Sequence, residues 1–300
     1  MPLLDEIRTL IVRYAAGARR RTVLDGVSVG IAPGPTELVS GFLTPSLTVV
    51  AQGVKRTVLN DRVHDYRAGQ YLVVSVDLPV TGHVLRASAE EPFAALSVEL
   101  DRTQLAALLL EAPARAAAPS TTIPAGLAIS EAGADLLDPV VRLLRLTERP
   151  ADLAVLGPAV RREILWRLLT GEQGALVRQI GLADGSLTRV ARATGWIREH
   201  YDEPLRVDRL AALAGMSASS LHRHFRAATS MTPLQYQKLI RLQEARALLL
   251  ATARDVGQVG HLVGYESPSQ FSREYRRQFG ASPRADRDKE RAQQDPSPVV

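Results

Sequence analysis

The sequence predicts an α+β protein in which a small antiparallel β-domain is followed by helices and then by an all-helical domain. Short segments rich in β-branched residues, separated by Gly, Pro, Asn or Asp, occupy residues 27–100, which is typical of a small barrel or sandwich. From Asp101 onward, apolar residues recur every three or four positions, as in amphipathic helices. Residues 205–283 contain one helix-turn-helix pattern twice.

Length, cysteine content and charge narrow the class of protein. The 300 residues are enough for about two domains, and there is no Cys, which excludes disulfides and thiolate metal sites. No apolar run reaches the ~18–20 residues of a membrane span, and the first residues do not resemble a secretory signal, so we expect a cytoplasmic protein. Residues 186–300 hold 18 Lys and Arg against 12 Asp and Glu, whereas residues 1–185 hold 19 against 20. The excess positive charge therefore lies with the duplicated pattern, where it suits phosphate contacts.

The first element is predicted to be a helix over residues 1–22 that ends with Arg19, Arg20 and Arg21, because basic side chains favour a helix C-terminus. A contact of this triplet with phosphate is the alternative. Six β-segments follow, at residues 47–51, 55–59, 62–66, 71–76, 83–87 and 94–100. Asn60-Asp61 between the second and third of these segments predicts a hairpin turn.

Chemistry-bearing residues are sparse in the predicted β-domain. It holds only His64 and His83, without a His-X-His pair, so we expect no metal site and no cofactor. The chain has neither a nucleophile elbow nor a phosphate-binding Gly-rich loop. The sequence therefore predicts that the protein is not an enzyme.

Helices are predicted between the β-domain and the duplicated pattern. Asp101 is the expected N-cap of the first helix, with Gln104 at the third position after it. Residues 112–124, rich in Ala, Pro, Ser and Thr, are expected to form a linker or exposed loop. Ser130 is expected to cap a helix over residues 131–147. Further helices are predicted at residues 159–169, 174–180 and 187–200.

The duplicated pattern has a simple physical interpretation. Gly215 recurs 49 positions later as Gly264, and Ser217 recurs 50 positions later as Ser267. Each Gly suits the left-handed end of a first helix, and each Ser offers an N-cap oxygen to a second helix. The second helix of such a motif can lie in a DNA major groove, although one copy alone would also fit an ordinary helical hairpin. Residues 233–250 predict one long helix that joins the copies.

Several motifs in this region identify a family that the chain resembles. Met216-Ser217, Thr232-Pro233 and Gly264-Tyr-Glu-Ser-Pro-Ser-Gln-Phe-Ser-Arg-Glu-Tyr275 closely resemble the DNA-binding domain of AraC-type transcription regulators. The resemblance covers about residues 190–285. Residues 47–79 resemble the N-terminal cupin-like domain found in one branch of that family.

The resemblance implies a cupin-like antiparallel β-barrel, followed by helices and by an all-α domain with two helix-turn-helix motifs. We expect four regions. Residues 1–110 form a cupin-like sensor domain, which includes the N-terminal helix, and residues 111–185 form a helical linker and possible dimerisation region. Residues 186–285 form the DNA-binding domain, and residues 286–300 form a disordered tail. The implied partners are double-stranded promoter or operator DNA, an unknown small-molecule effector, a second copy of the chain and, for an activator, RNA polymerase. No membrane partner is expected. The Leu and Val stripes at 111–185 fit a dimer face and an internal core equally well.

Site residues follow from matching the motifs position by position. The resemblance implies base contacts from Ser219, His222, Arg223, Pro268, Ser269, Ser272 and Arg273, and phosphate contacts from Arg226, Lys238, Arg276 and Arg277. Arg223 and Arg273 are the leading candidates because arginine can bind guanine O6 and N7 bidentately. An exposed, solubilising arginine is the alternative for each. If the joining helix is like that of the family, the two recognition helices lie one DNA turn, about 34 Å, apart. No effector-binding residue can be assigned from the sequence.

Two other functions fit less of the sequence. An architectural protein would bind DNA without a ligand and with little sequence specificity, whereas a cupin-type enzyme with an accessory DNA-binding module would need metal ligands or a reactive Cys. One departure from the family pattern concerns Gly257 and Gly260, where Ala or a larger residue is usual. Because an interior Gly costs a helix about 1 kcal/mol relative to Ala, we expect Gly260→Ala to raise stability and tighten DNA binding.

Overall fold

The computed structural model describes residues 2–15, 17–111, 125–252 and 254–294. Twelve helices and ten strands lie in these ranges. The strands are β1 Arg20–Leu24, β2 Val27–Ala32, β3 Val39–Leu43, β4 Ser46–Gln52, β5 Val54–Leu59, β6 Arg62–Arg67, β7 Gln70–Val74, β8 Leu78–Arg86, β9 Phe93–Glu99 and β10 Leu127–Glu131. The helices are α1 Pro2–Ala15, α2 Arg102–Glu111, α3 Ala134–Leu146, α4 Pro150–Thr170, α5 Gly174–Gly181, α6 Ser186–Glu199, α7 Val207–Leu213, α8 Ala218–Thr229, α9 Pro233–Ala251, α10 Val256–Leu262, α11 Pro268–Phe279 and α12 Pro283–Gln294.

The β-domain consists of two antiparallel sheets. One sheet has the strand order β1-β2-β9-β4-β7-β10 and the other has the order β3-β8-β5-β6. Gly53, at φ +84°, turns the chain from one sheet to the other, and a Cβ there would lie 2.7 Å from the carbonyl oxygen of Arg86. In the described part of the chain no ladder joins the sheets, so the closed barrel expected from the sequence is wrong. The sandwich, which the β-segment pattern allowed equally, is the observed arrangement.

Several local predictions are confirmed. Each of the six predicted β-segments corresponds to a strand, although three of them extend one or two residues past its end, at β7, β8 and β9. The hairpin turns at Asn60, which has a positive φ of 55°. Asp101 caps α2, since its Oδ1 accepts hydrogen bonds from the backbone N–H groups of Thr103 and Gln104 at 2.7 and 3.2 Å. The helix predicted over residues 187–200 corresponds to α6.

Four predictions about element boundaries are wrong. Helix α4 begins at Pro150, nine residues before the start of the helix predicted over residues 159–169. Helix α1 ends at Ala15, and the arginine triplet begins strand β1 rather than ending a helix. Ser130 lies in β10, which pairs with β7, so the segment expected to be purely helical contributes a strand to the larger sheet. Helix α3 starts three residues later than predicted, after Gly133. The linker predicted at residues 112–124 lies outside the described residues.

The segment after residue 285 also differs from its prediction. Helix α12 continues to Gln294, where a disordered tail was expected from residue 286, and residues 295–300 lie outside the described part. Asp286 explains why this segment is helical, because its carboxylate fixes α12 to the rest of the chain. It accepts hydrogen bonds from Tyr275 Oη at 2.7 Å and from Arg246 Nε at 2.8 Å. Only 8% of its side chain is exposed. A charged composition alone does not reveal such a buried anchor.

The buried core crosses the boundary between the two domains. One continuous cluster runs from Ile7 in α1 to Ile240 in α9, so the first helix-turn-helix motif shares its core with the sandwich. A second cluster, from Leu242 to Tyr275, joins the second half of α9 to the second motif. No helix within the described ranges is both long and apolar enough to cross a membrane.

Candidate nucleic-acid interface

The first motif consists of α7, a turn at Gly215 and α8. Gly215 has φ +66°, as expected for a left-handed helix end. Ser217 caps α8, because its Oγ accepts a hydrogen bond from Ser220 N–H at 3.3 Å. Arg189 on α6 stabilises the turn by donating to the Gly215 carbonyl oxygen at 2.8 Å. Sequence analysis did not identify Arg189, since nothing in its local pattern separates it from the other arginines of α6.

Helix α8 presents a polar face to solvent. Leu221 and Phe225 are fully buried, which fixes the rotation of the helix. The four predicted DNA contacts of this helix are exposed, and they lie three to four positions apart on one face: Ser219, His222, Arg223 and Arg226. The structure therefore brings these four side chains together on an accessible surface.

His224 lies between this face and the core. Burial lowers the pKa of His224, and the charges of Arg223 and Arg189 lower it further. The imidazole is therefore neutral at neutral pH. Its Nδ1 is buried without a hydrogen-bond partner, and its Nε2 lies 3.5 Å from Arg223 Nη2. A neutral imidazole beside Arg223 adds no charge of its own to the face that carries the guanidinium.

The second motif repeats the first. Asp255 caps α10 with a capping box to Gln258, and Ser267 caps α11 by accepting from Gln270 N–H at 3.4 Å. Gly264 between the helices has φ +86°, and a Cβ there would lie 2.2 Å from the Asp202 carbonyl oxygen. Only glycine fits this turn, as its position in the duplicated pattern predicts.

Helix α11 also presents its predicted contacts outward. Phe271 and Tyr275 are fully buried, as predicted, and their rings meet at a centroid distance of 5.6 Å. The remaining predicted residues of this helix are exposed, except for Ser272, which is partly buried: Pro268, Ser269, Ser272, Arg273, Arg276 and Arg277. Arg273 Nε donates to the carbonyl oxygen of Ser269 at 3.3 Å, and this bond leaves the terminal guanidinium nitrogens toward solvent.

Lys238 differs from the other predicted phosphate contacts. Its Nζ lies 2.8 Å from Glu274 Oε1, and Tyr265 Oη donates to Glu274 Oε2 at 2.9 Å. Burial acts to raise the pKa of Glu274, but the hydrogen bonds from Lys238, Gln270 and Tyr265 outweigh it and leave that pKa below its ordinary value. Lys238 therefore joins the connecting helix α9 to α11, and its ammonium already has a carboxylate partner.

Arg241 on α9 fixes the position of the second turn. Its guanidinium donates to the carbonyl oxygens of Tyr201, Asp202, Glu203 and Gly264, at distances of 2.6–3.1 Å. This arginine lies within the stretch of about residues 190–285 that the family resemblance covers, but the sequence around it gives no sign that it holds the backbone.

Gly260 packs closely against the second helix of its motif. A Cβ at Gly260 would lie 2.9 Å from Cδ1 and 3.1 Å from Cγ of Phe271. These distances argue against the expectation that Gly260→Ala stabilises the protein, because α10 and α11 leave too little room for a methyl group. At Gly257 the nearest atom is Asp255 Oδ1, at 3.4 Å, so that position accepts a Cβ.

Among the residues that the structure describes, no three His or acidic side chains are placed to hold a metal ion. The sandwich contacts the first motif and the helix before it. Asn60 Nδ2 donates to the Ser230 carbonyl oxygen, at the end of α8, at 3.0 Å. Arg198 Nη1, on α6, lies 2.6 Å from Asp77 Oδ2. A further backbone bond joins Gly126 N–H to the Ala228 carbonyl oxygen at 2.9 Å.

Comparison with known proteins gives matches over both halves of the chain. A family model of the AraC-type transcriptional regulator N-terminus matches residues 23–176, and a model of a helix-turn-helix domain matches residues 210–289. The HTH-type transcriptional activator RhaS of Salmonella schwarzengrund (strain CVM19633) is 30% identical over 152 residues, which are 50% of this chain and 53% of the relative. RhaS of Salmonella agona (strain SL483) is 32% identical over 153 residues, with the same coverage of 50% and 53%.

The chain thus spans about half the length of the curated relatives it matches. Among solved structures, apo ToxT from Vibrio cholerae strain SCE256 superposes with a TM-score of 0.55 at 8% identity, over 89% of this chain and 99% of that one. This likeness shows that the two proteins share a fold across both domains.

Proposed function

Because the chain belongs to the AraC family, a family of transcription regulators and not of enzymes, we propose that it binds specific operator DNA in the cytoplasm through α8 and α11. One observation carries the proposal: Arg223 and Arg273 occupy matching positions of the two motifs, and both are exposed on helices whose opposite faces are buried. An arginine on such a face can bind guanine bidentately in the major groove.

The proposed contacts have different tasks. Ser219, His222 and Arg223 contact bases from α8, and Arg226 contacts phosphate. Pro268, Ser269, Ser272 and Arg273 form the base-contacting face of α11, where Pro268 can only touch a thymine methyl group, and Arg276 and Arg277 contact phosphate. Contacts to bases specify the sequence, whereas contacts to phosphates position the protein.

In this proposal the β-domain regulates the binding of DNA. Residues 1–110 form a cupin-like sensor that binds a small-molecule effector, residues 111–185 form a helical region with a possible dimer face, and residues 186–285 bind DNA. The β5–β6 hairpin is the proposed route of communication, since its tip residue Asn60 bonds to Ser230 at the C-terminal end of α8. An effector that shifts the hairpin would thereby shift the first recognition helix.

Selection of bound genomic fragments tests the DNA-binding proposal at physiological salt. We expect the wild-type protein to enrich one recurrent motif with two patches about one helical turn apart, at a specificity of about 10³-fold or more over random DNA. The Arg223→Ala, Arg273→Ala double variant should lose this motif. A matched control, Arg13→Ala with Arg149→Ala, removes two exposed arginines from elements outside both motifs and should retain it. Equal, diffuse enrichment by all three proteins would contradict base contacts by these arginines and favour an architectural DNA binder.

A further inference from the structure

The connecting helix α9 lies in two separate cores. Tyr236, near its start, is fully buried in the core that α8 shares with the sandwich, and its ring meets that of Phe225 on α8 at a centroid distance of 5.3 Å. Leu242 and Leu249, in its second half, are buried in the core of the second motif. The change from one core to the other falls between Ile240 and Leu242. Helix α8 is therefore fixed to the first half of α9, whereas α11 shares a core with the second half.

One ion pair reaches across this change of core. Lys238 lies on the first half of α9, two residues after Tyr236, and its Nζ is 2.8 Å from Oε1 of Glu274 on α11. The Glu274 side chain is only 13% exposed, and its Oε2 accepts a hydrogen bond from Tyr265 Oη at 2.9 Å. Gln270 Nε2, one turn earlier on α11, donates to Oε1 at 3.1 Å. The ion pair thus joins the part of α9 that holds α8 to the second recognition helix itself.

Arg241 forms a second polar link, but at a different point. Its guanidinium donates at 2.6 Å to the carbonyl oxygen of Tyr201, which follows α6, and at 2.7 Å to that of Gly264, in the turn of the second motif. This link fixes the turn, and Glu274 lies ten residues farther along the chain, in the middle of α11. Apolar packing is largely non-directional, whereas charge-assisted hydrogen bonds have a defined geometry. The contact with Lys238 is therefore the second anchor, and two anchors define the direction of the helix.

The first motif is held in another way. The duplicated pattern places His224 of α8, a neutral imidazole, at the position that Glu274 occupies in α11. Helix α8 packs instead in the core that continues into the sandwich, and its C-terminal end accepts a hydrogen bond from Asn60. The carboxylate is thus found in the motif whose core is separate from the sandwich, where a polar link is needed to fix the recognition helix.

We propose that Lys238 and Glu274 are positioning residues that fix the direction of α11 relative to α8, and that they thereby set the number of base pairs that the protein accepts between its two DNA sites. One added base pair moves the second site by about 3.4 Å and turns it by about 35° around the DNA axis, so a rigid pair of helices discriminates between intervals. The inference rests on the proposed function, because an interval has meaning only for a protein that reads two sites.

Duplexes with altered intervals test the effect on DNA binding. The motif that the wild-type protein enriches is synthesised unchanged, with one base pair removed and with one added, and the affinity for each is measured by fluorescence anisotropy. We expect the wild-type protein to lose about tenfold or more at either altered interval, as it would for a mismatched base pair. Lys238→Met and Glu274→Gln should each reduce this loss by about threefold or more. Lys238→Arg, which keeps the charge, and Lys289→Met, which removes a lysine that lies 3.7 Å from Glu37, should keep the wild-type preference.

The two variants also separate a positioning role from a direct contact with phosphate. Lys238→Met removes a positive charge and Glu274→Gln removes a negative one, so a purely electrostatic effect on DNA would weaken binding in the first and strengthen it in the second. Loss of the link should relax the interval in both. If Lys238 contacts phosphate, its removal weakens binding to all three duplexes equally and reduces the slope of log K against log salt by about 1. That result, with an unchanged interval preference, would overturn the proposal.

A distance measurement tests the link without DNA. Because the chain has no Cys, nitroxide labels can be attached specifically at Arg226→Cys on α8 and Gln278→Cys on α11, two exposed positions. Pulsed electron paramagnetic resonance of the labelled full chain should give a narrow distance distribution for the parent protein and for Lys238→Arg. The distribution should be broader or shifted for Lys238→Met and Glu274→Gln. Unchanged distributions in both of these variants would overturn the proposal, whatever the DNA result.

Combined outcomes separate this inference from the proposed function. A broader distance distribution with an unchanged interval preference would overturn the role of the ion pair in spacing and leave the recognition helices as proposed. A wild-type protein that enriches no motif would refute the proposed function and the role in spacing with it, while the distance measurement still decides whether the ion pair fixes α11.

Discussion

Substitution of Gly260 by alanine tests the packing of the second motif. Gly260 lies in α10 at its contact with α11, and the ring of Phe271 that it touches is 0% exposed. The Cβ of alanine would lie 2.9 Å from Phe271 Cδ1, whereas carbon atoms in good contact are about 3.5–4.0 Å apart. Phe271 cannot retreat freely, because the rings of Tyr265 and Tyr275 lie at centroid distances of 5.3 and 5.6 Å from it.

Two opposing effects set the size of the change. Replacing an interior helical Gly by Ala favours the helix by about 1 kcal/mol at most, and less in a helix of only seven residues. Overpacking a buried site costs about 1–3 kcal/mol. We therefore expect a net loss of about 1–2 kcal/mol, confined to the second motif because that motif has its own core.

Native-state hydrogen exchange measures this loss locally. Amide protection in α10 and α11 should fall about 5- to 30-fold in Gly260→Ala, while protection in α8 stays unchanged. Gly257→Ala is the matched control: it adds the same methyl group to the same helix at a position where the nearest atom, Asp255 Oδ1, is 3.4 Å away, and protection there should stay equal or rise. Equal or higher protection of α11 in Gly260→Ala would refute the argument and restore the expectation drawn from helix propensity.

Three further predictions concern the contacts that hold the domains. Asp286→Ala leaves the buried Tyr275 hydroxyl without its acceptor and breaks the ion pair with Arg246. The free energy of unfolding, measured by urea denaturation, should therefore fall by about 3 kcal/mol, and a fall of less than about 1 kcal/mol would show that α12 is not anchored. Asn60→Ala removes the amide that donates to Ser230, and exchange in the last turn of α8 should rise about fivefold; unchanged exchange would mean that the hairpin does not restrain this helix. Because the pKa of Lys55 is lowered in the folded chain, the unfolded chain binds its proton more tightly, and this group favours folding more as pH rises. Lys55→Met should therefore melt above the wild type at pH 7, with a gap that narrows toward about pH 10, and a constant gap would contradict this.

The sequence predicts those parts of the structure that depend on local chemistry. The two turns at Gly215 and Gly264, the caps at Ser217 and Ser267, and the hairpin at Asn60 all follow from the backbone preferences of single residues. The rotation of α8 and α11 follows as well, because their aromatic and aliphatic residues recur with the period of a helix.

Other parts depend on contacts between distant segments, which no local pattern reveals. Strand β10 is recognisable only through its pairing with β7, more than fifty positions earlier in the chain. The helical continuation through Asp286 depends on Tyr275 and Arg246, which belong to other elements. The partnership of Lys238 with Glu274 likewise depends on how α9 crosses α11. For Gly260, propensity and packing give opposite answers, and only the distance to Phe271 decides between them.

The two recognition helices are attached to the β-domain in different ways, and this difference affects how an effector would regulate DNA binding. Helix α8 packs in the core that continues into the sandwich, and its C-terminal end accepts bonds from Asn60 and Gly126. Helix α11 packs in a separate core and is joined to the rest through α9. If an effector binds the sandwich, its effect should reach α8 first through Asn60 and Gly126, and α11 only as far as α9 moves with it. Effector binding should therefore change hydrogen exchange at the end of α8 before it changes exchange in α11.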